Sequence, residues 1–160
     1  MKITIRDEVP TIAQSRTQRL AKPVIDLETA PYGILVLRVS LGLLFLAHGL
    51  LKVFVFTLPG TAQFFESVGL PGFMAIPVAL AEIMGGMFLI AGLYTRWAAL
   101  VLFPLLLVAT FKVHGANGWL FTNKGGGWEF PAFFAIACLV QFLLGDGALA
   151  IGSILHRKRS

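Results

Sequence analysis

The segment at residues 44–56, LFLAHGLLKVFVF, decides what kind of fold this chain adopts. Its apolar residues surround His48 and, one helical turn later, Lys52. In the core of a soluble protein both side chains are costly to bury, because each carries polar atoms that need partners. The solvent around this helix therefore decides how the two residues are accommodated.

The overall composition indicates that this solvent is lipid. Of the 160 residues, 57% are hydrophobic and only 13% are charged, and the mean hydropathy is +0.82. Soluble domains carry about a quarter charged residues. The chain has too few polar residues to cover its apolar ones in water, so we predict a membrane protein whose main partner is the lipid bilayer.

Apolar segments of membrane-spanning length occur four times, at 33–56, 74–94, 97–114 and 130–151. The connections at 57–73 and 114–129 are rich in glycine and proline, and a short hinge lies at 94–96. The apolar runs are continuous rather than alternating, which excludes a β-barrel. The sequence therefore predicts an all-α membrane protein, a bundle of four transmembrane helices.

The two ends of the chain differ from this domain. Residues 1–30 mix charges of both signs and lack the apolar stretch of a signal peptide, so we predict a cytoplasmic tail. The membrane domain is predicted over 31–155, followed by a short basic cytoplasmic tail at 156–160.

Lysine and arginine near the ends of the spans predict the orientation. One side of the membrane would hold the most basic residues: Arg16, Arg19, Lys22, Arg96, Arg157, Lys158 and Arg159. Both termini are therefore expected in the cytoplasm. This bias accounts for much of the net charge of +5, so no nucleic-acid partner is implied.

Several kinds of chemistry are excluded by the residues present. Cys138 is the single cysteine, so neither an intramolecular disulfide nor a Cys-x-x-Cys redox pair can form. The glycines at 125–127 are not followed by the Lys-Ser/Thr of a phosphate-binding loop. We predict no metal site.

One group of ionisable residues is predicted to meet in the outer half of the bundle. His48 and Lys52 lie about 40° apart on the first helix. Glu82 on the second helix lies at a similar depth, so it is the expected partner of one or both. A purely structural ion pair and a ligand-binding site are both compatible with this pattern.

Further polar residues are assigned to the two ends of the bundle. At the outer end, His114, Trp128 and Glu129 are additional candidates for ligand binding, although Trp128 suits a membrane interface and Glu129 a helix start. At the inner end, Arg38, Asp146 and Arg96 are predicted to be structural, with Arg38 and Asp146 at similar depth. Which residues, if any, are catalytic is not determined.

The two halves of the chain are weakly similar to each other. Each has a helix with a His-Gly dipeptide near its outer end, an aromatic connection, and a Gly-Leu-Pro or Glu-Phe-Pro sequence before the next helix. This pattern is compatible with a parallel two-helix repeat.

Taken together, the segments RVSLGLLFLAHGLLK, FFESVGLPGFMA, ALAEIMGGMFLIAGLYTRWAAL and GGWEFP resemble the DoxX family of small four-helix membrane proteins. The resemblance covers roughly residues 33–151 and implies a bacterial inner-membrane protein. It also implies a link to quinone-dependent oxidoreductases or oxidative stress, since some relatives are assigned to these.

Three functions remain compatible with the sequence. The first is a quinone-linked oxidoreductase subunit, with Phe45, Phe54, Phe56, Phe64 and Phe65 forming a slot and a redox partner protein supplying electrons. The second is a non-catalytic assembly or stabilising subunit. The third is a b-type haem protein with His48 and His114 as axial ligands. A homo-oligomer is left open.

Overall fold

A computed structural model describes residues 25–153. Almost all of the predicted tail over 1–30, and the whole basic tail over 156–160, lie outside the described residues. Residues 25–153 form helices and connecting turns and contain no strand, as expected for an all-α membrane protein.

Within residues 25–153 the structure has five α-helices and two π-helical segments. In chain order these are α1 (Ala30–Leu50), π1 (Leu51–Val55), α2 (Leu58–Ser67), α3 (Ala75–Ala91), α4 (Thr95–Val108), π2 (Ala109–Val113) and α5 (Glu129–Leu144). Short 3₁₀ turns lie at Gly72–Met74 and Gly115–Asn117.

Three continuous helical segments are long and apolar enough to cross a bilayer: Ala30–Val55, Gly72–Ala91 and Thr95–Val113. Their surfaces carry exposed side chains such as Phe54 and Phe111, which suits lipid and would be costly in water. The fourth apolar helix, α5, has 16 residues. The described part of the chain thus has three helices that could cross a membrane, and the count of four remains a prediction.

The last helix ends earlier than the sequence indicates. We expect an apolar span to 151, but α5 ends at Leu144 because Gly145 and Gly147 adopt positive φ angles of 84° and 68°. The chain then turns back, and the amide of Ala148 donates to the carbonyl of Pro31. Glycine-rich backbone thus overrides the apolar composition here.

Helices α1 and α3 run antiparallel in close contact. A Cβ atom on Gly86 would lie only 2.8 Å from the carbonyl oxygen of Gly42, and one on Gly49 would lie 3.0 Å from the amide nitrogen of Ile83. Small residues at such positions let transmembrane helices approach closely.

A second antiparallel pair, α4 and α5, packs against α3 and α1. Phe45 and Phe134 meet at the centre of the bundle, with ring centroids 4.5 Å apart. The thiol of Cys138 donates to the carbonyl of Ala99, so the single cysteine is a buried packing residue between α4 and α5.

We call the two ends of the bundle the π end, which carries π1 and π2, and the terminal end, where α1 begins and α5 finishes. Arg38 lies fully buried at the terminal end, where its guanidinium donates to the carbonyls of Leu89, Ile90 and Ala148. A cation at the last carbonyls of α3 neutralises the negative end of that helix.

Arg38 therefore satisfies helix-terminal carbonyls and makes no ion pair with Asp146, which lies in the turn between Gly145 and Gly147. Arg96, at the start of α4, is exposed, and its Nε would lie 3.0 Å from a Cβ placed on Gly145. The three hydrogen bonds of Arg38 fit a structural role, and the structural roles of Asp146 and Arg96 stay predictions.

Candidate functional site at the π end

One buried ion pair joins π1 to α3. The Nζ of Lys52 donates to Oε2 of Glu82 at 2.6 Å, and the two side chains are 17% and 11% exposed. It is the only ion pair within residues 25–153. The predicted approach of Lys52 and Glu82 is thus present in the structure, and the pair has a small accessible surface.

The backbone around Lys52 explains why its side chain reaches α3. In π1 the amide of Phe56 bonds to the carbonyl of Leu51, five residues earlier, so each residue turns less than in an α-helix. The carbonyl of Lys52 also accepts a hydrogen bond from the hydroxyl of the buried Thr61 in α2, at 3.2 Å. These bonds hold Lys52 between α2 and α3.

The imidazole of His48 bonds to the backbone of its own helix. Its Nδ1 lies 2.7 Å from the carbonyl oxygen of Leu44, and because a carbonyl can only accept, Nδ1 carries the proton. The ring is exposed and lies 6.4 Å from that of Phe134. Of the two expected partners of Glu82, Lys52 makes the hydrogen bond, and His48 makes none with it.

The phenylalanines expected to form one slot are divided between core and surface. Phe45 and Phe65 are 1% and 8% exposed and belong to the protein interior. Phe54, Phe56 and Phe64 are exposed. The sequence shows that all five are aromatic, but it does not show which of them are buried and which are exposed.

The outer candidates His114, Trp128 and Glu129 organise the loop between π2 and α5. His114 donates from Nδ1 to the carbonyl of Gly126 at 2.9 Å, and Oε1 of Glu129 accepts from the amide of Phe121 at 2.7 Å. The rings of Trp128 and Trp119 meet edge to face with centroids 4.5 Å apart. No hydrogen bond or ion pair links these three side chains to Lys52 or Glu82.

A second feature at the π end is an apolar cleft of about 420 Å³ between α4, π2 and α5. Its walls include three aromatic rings and two aliphatic side chains: Phe103, Phe111, Trp128, Leu107 and Ile136. Thr110 supplies the only hydroxyl group in its lining. Only Trp128 of this cleft is marked as a site residue by the sequence, because phenylalanines in an apolar helix look like ordinary lipid-facing residues.

Within the described part of the chain, no three histidine, cysteine, aspartate or glutamate side chains lie close enough together to hold a metal ion. His48 lies beside α5 and His114 beside the loop glycine Gly126. Lys52, Glu82 and His48 supply groups at the π end that can make hydrogen bonds and exchange protons.

Comparison with known proteins agrees with this fold. The family model described as DoxX matches residues 33–115. The chain is 47% identical over 127 residues to "Putative oxidoreductase CatD" of Bacillus subtilis, covering 79% of this chain and 90% of that one. This chain belongs to the DoxX family of membrane proteins.

Two other relatives extend the comparison. The "Inner membrane protein YqjF" of Escherichia coli is 31% identical over 134 residues, covering 79% of this chain and 94% of its own length. An "Uncharacterized protein" of Haemophilus influenzae is 32% identical over 129 residues, with 80% and 94% covered. No solved structure matches the chain.

Proposed function

We propose that this chain is a quinone-linked subunit of an oxidoreductase system in the bacterial inner membrane. The observation that carries this proposal is the Lys52–Glu82 ion pair, which lies between apolar helices and remains partly accessible. Ionisable groups inside membrane spans are costly and characteristically serve ligand binding or proton transfer. Relatives named as an oxidoreductase and as an inner membrane protein support the assignment.

The pair suits the needs of a quinone. Reduction of a quinone to a quinol takes up two electrons and two protons, and its carbonyl oxygens accept hydrogen bonds. The Lys52 ammonium has three N–H groups and gives one to Glu82, so others are free for a quinone carbonyl. Glu82 and the unprotonated Nε2 of His48 are groups that can exchange protons.

The electrons come from a partner protein in this proposal. The sequence has a single cysteine and no nucleotide-binding motif, so it offers no thiol pair or nucleotide site of its own. In this proposal both termini lie in the cytoplasm and the π end lies outside, as the distribution of lysine and arginine predicts. In this arrangement α5 makes the fourth span.

Binding of a short-chain benzoquinone analogue to the protein in nanodiscs tests the proposal. Lys52→Met and Glu82→Gln should each weaken binding by about tenfold, because each removes a buried polar partner. The matched controls are Lys112→Met and Glu66→Gln, which replace exposed residues outside any ion pair of the described chain. Circular dichroism establishes that each variant keeps its helix content.

A stabilising subunit is the second candidate, favoured by the Thr61 hydrogen bond that ties α2 to the backbone at Lys52. In that case the same substitutions lower the thermal midpoint but leave any ligand response unchanged. A wild-type protein that binds no quinone analogue would contradict the quinone proposal and favour this one. An absorbance spectrum with haem bands would instead favour His48 and His114 as haem ligands.

A further inference from the structure

The cleft between α4, π2 and α5 has the size and lining of a ligand site. Its volume of about 420 Å³ lies within the usual range for small-molecule pockets. Phe111 and Ile136, which are 73% and 59% exposed, stand at its outer surface. A ligand can therefore enter sideways from the lipid.

The polar character of the cleft is set by Thr110. This residue lines the cleft yet is 5% exposed, and its hydroxyl lies 2.7 Å from the carbonyl oxygen of Leu106. A carbonyl cannot donate, so the threonine proton is committed to Leu106. What remains is the lone pairs of the hydroxyl oxygen, which accept a hydrogen bond.

The aromatic lining of the cleft favours a particular shape of ligand. Phe103, Phe111 and Trp128 contribute three rings to one cleft. Aromatic side chains favour a flat ring through offset or edge-to-face contacts. An aliphatic chain makes no use of such contacts and has no hydrogen to donate to Thr110.

We propose that this cleft binds the ring of a phenol or hydroquinone, with a ligand hydroxyl donating to the Oγ1 atom of Thr110. A quinone fits less well, because its two oxygens only accept and the acceptor in the cleft is left without a partner. The cleft therefore prefers the reduced form of the ring. This inference stands on the cleft alone and is separate from the role proposed for Lys52 and Glu82.

Three matched probes test the proposal in nanodiscs: trimethylhydroquinone kept reduced, its dimethyl ether, and trimethylbenzoquinone. Equilibrium dialysis gives the binding, with empty nanodiscs subtracted to remove partitioning into lipid. In Lys52→Met protein, which lacks the lysine of the proposed quinone site, the cleft should bind the hydroquinone about tenfold more tightly than the other two probes, because only the hydroquinone donates a hydrogen bond.

Thr110→Val should abolish this tenfold preference, since valine has nearly the same shape but no oxygen. Thr110→Ser keeps the acceptor and should keep the preference. Ala132→Phe fills the cleft that Ala132 lines and should remove the bound hydroquinone altogether. The control Ala47→Phe makes the same change at an exposed position of α1 and should bind as the wild type does.

Two results would overturn the proposal. One is equal binding of the three probes by the Lys52→Met protein, which is expected of a groove that only seats a lipid acyl chain. The other is unchanged hydroquinone binding in folded Thr110→Val or Ala132→Phe protein. Lys52→Met should leave hydroquinone binding in the cleft intact, so failure of the ion-pair proposal and failure of this one give different results.

Discussion

The first and second halves of the molecule repeat one plan, and they differ at the positions that matter for function. Each half has a long helix ending in a π segment, a connection, and an antiparallel helix with proline at its third position, Pro77 in α3 and Pro131 in α5. The second residue of each π segment is Lys52 in one half and Thr110 in the other. The eighth residues of α3 and α5 are Glu82 and Ile136.

The two positions that form the ion pair in the first half therefore line the cleft in the second half. Lys52 and Glu82 bridge α1 and α3, whereas Thr110 and Ile136 border an open space. The repeat is set by the π segments and not by the His-Gly dipeptides, because His48 precedes π1 while His114 follows π2. The order of the elements agrees with the repeat that the sequence suggests, in a different register, and the repeat itself stays a prediction.

Residue size explains why one pair of helices closes and the other leaves a cleft. Gly49 lies three residues before Lys52, and its counterpart Leu107 lies three residues before Thr110. Gly86 of α3 corresponds to Val140 of α5. Glycines at 49 and 86 let α1 and α3 touch, while Leu107 lines the cleft between α4 and α5.

The two halves also differ in the burial of an arginine at equivalent positions, and substitution of this arginine gives the largest expected effect on the free energy of unfolding. Arg38 and Arg96 each lie 14 residues before the second residue of their π segment, yet only Arg38 is buried. Arg38→Met should lower the free energy of unfolding by about 4 kcal/mol, because buried carbonyls lose a charged donor. Thermal or denaturant unfolding in micelles measures this loss.

The matched control is Arg96→Met, which changes an exposed arginine and should cost less than about 1 kcal/mol. Equal effects of the two substitutions would contradict the different roles of the two arginines.

Helix contact gives an effect of intermediate size. Gly86→Leu should cost about 3 kcal/mol, because its side chain would meet the backbone of Gly42 and Leu46. Val140→Leu changes the corresponding residue of α5, which is exposed, and should change the unfolding free energy by less than about 0.5 kcal/mol. Both variants are measured by unfolding in the same detergent. Similar losses of unfolding free energy would contradict the proposed packing difference between the halves.

The smallest expected effect concerns the connections. The first half is connected through α2, whereas the second uses a loop in which Glu129 accepts from the amide of Phe121. Glu129→Ala should cost about 1 kcal/mol locally and speed hydrogen exchange at that amide about fivefold. Glu66→Ala is the control, since the Glu66 carboxylate makes no hydrogen bond within the described residues. Unchanged exchange at Phe121 would show that other bonds hold the loop.

The sequence by itself determined the solvent and the fold class. Long apolar runs with few charges can satisfy their backbone groups in lipid only as helices, and this requirement does not depend on how the helices are arranged. Matching depth along two antiparallel helices likewise predicted that Lys52 and Glu82 approach each other, since depth follows from the rise per residue.

Only the tertiary structure decided which side each polar or aromatic residue faces. The π segments change the rotation along the helix, so the 100° rule fails near Lys52 and His48. The turn after Leu144 arises from positive φ angles that apolar composition does not reveal. The cleft at Thr110 exists because α4 and α5, which are separated in the sequence, leave a space between their side chains. That space is a property of their packing and not of either sequence segment.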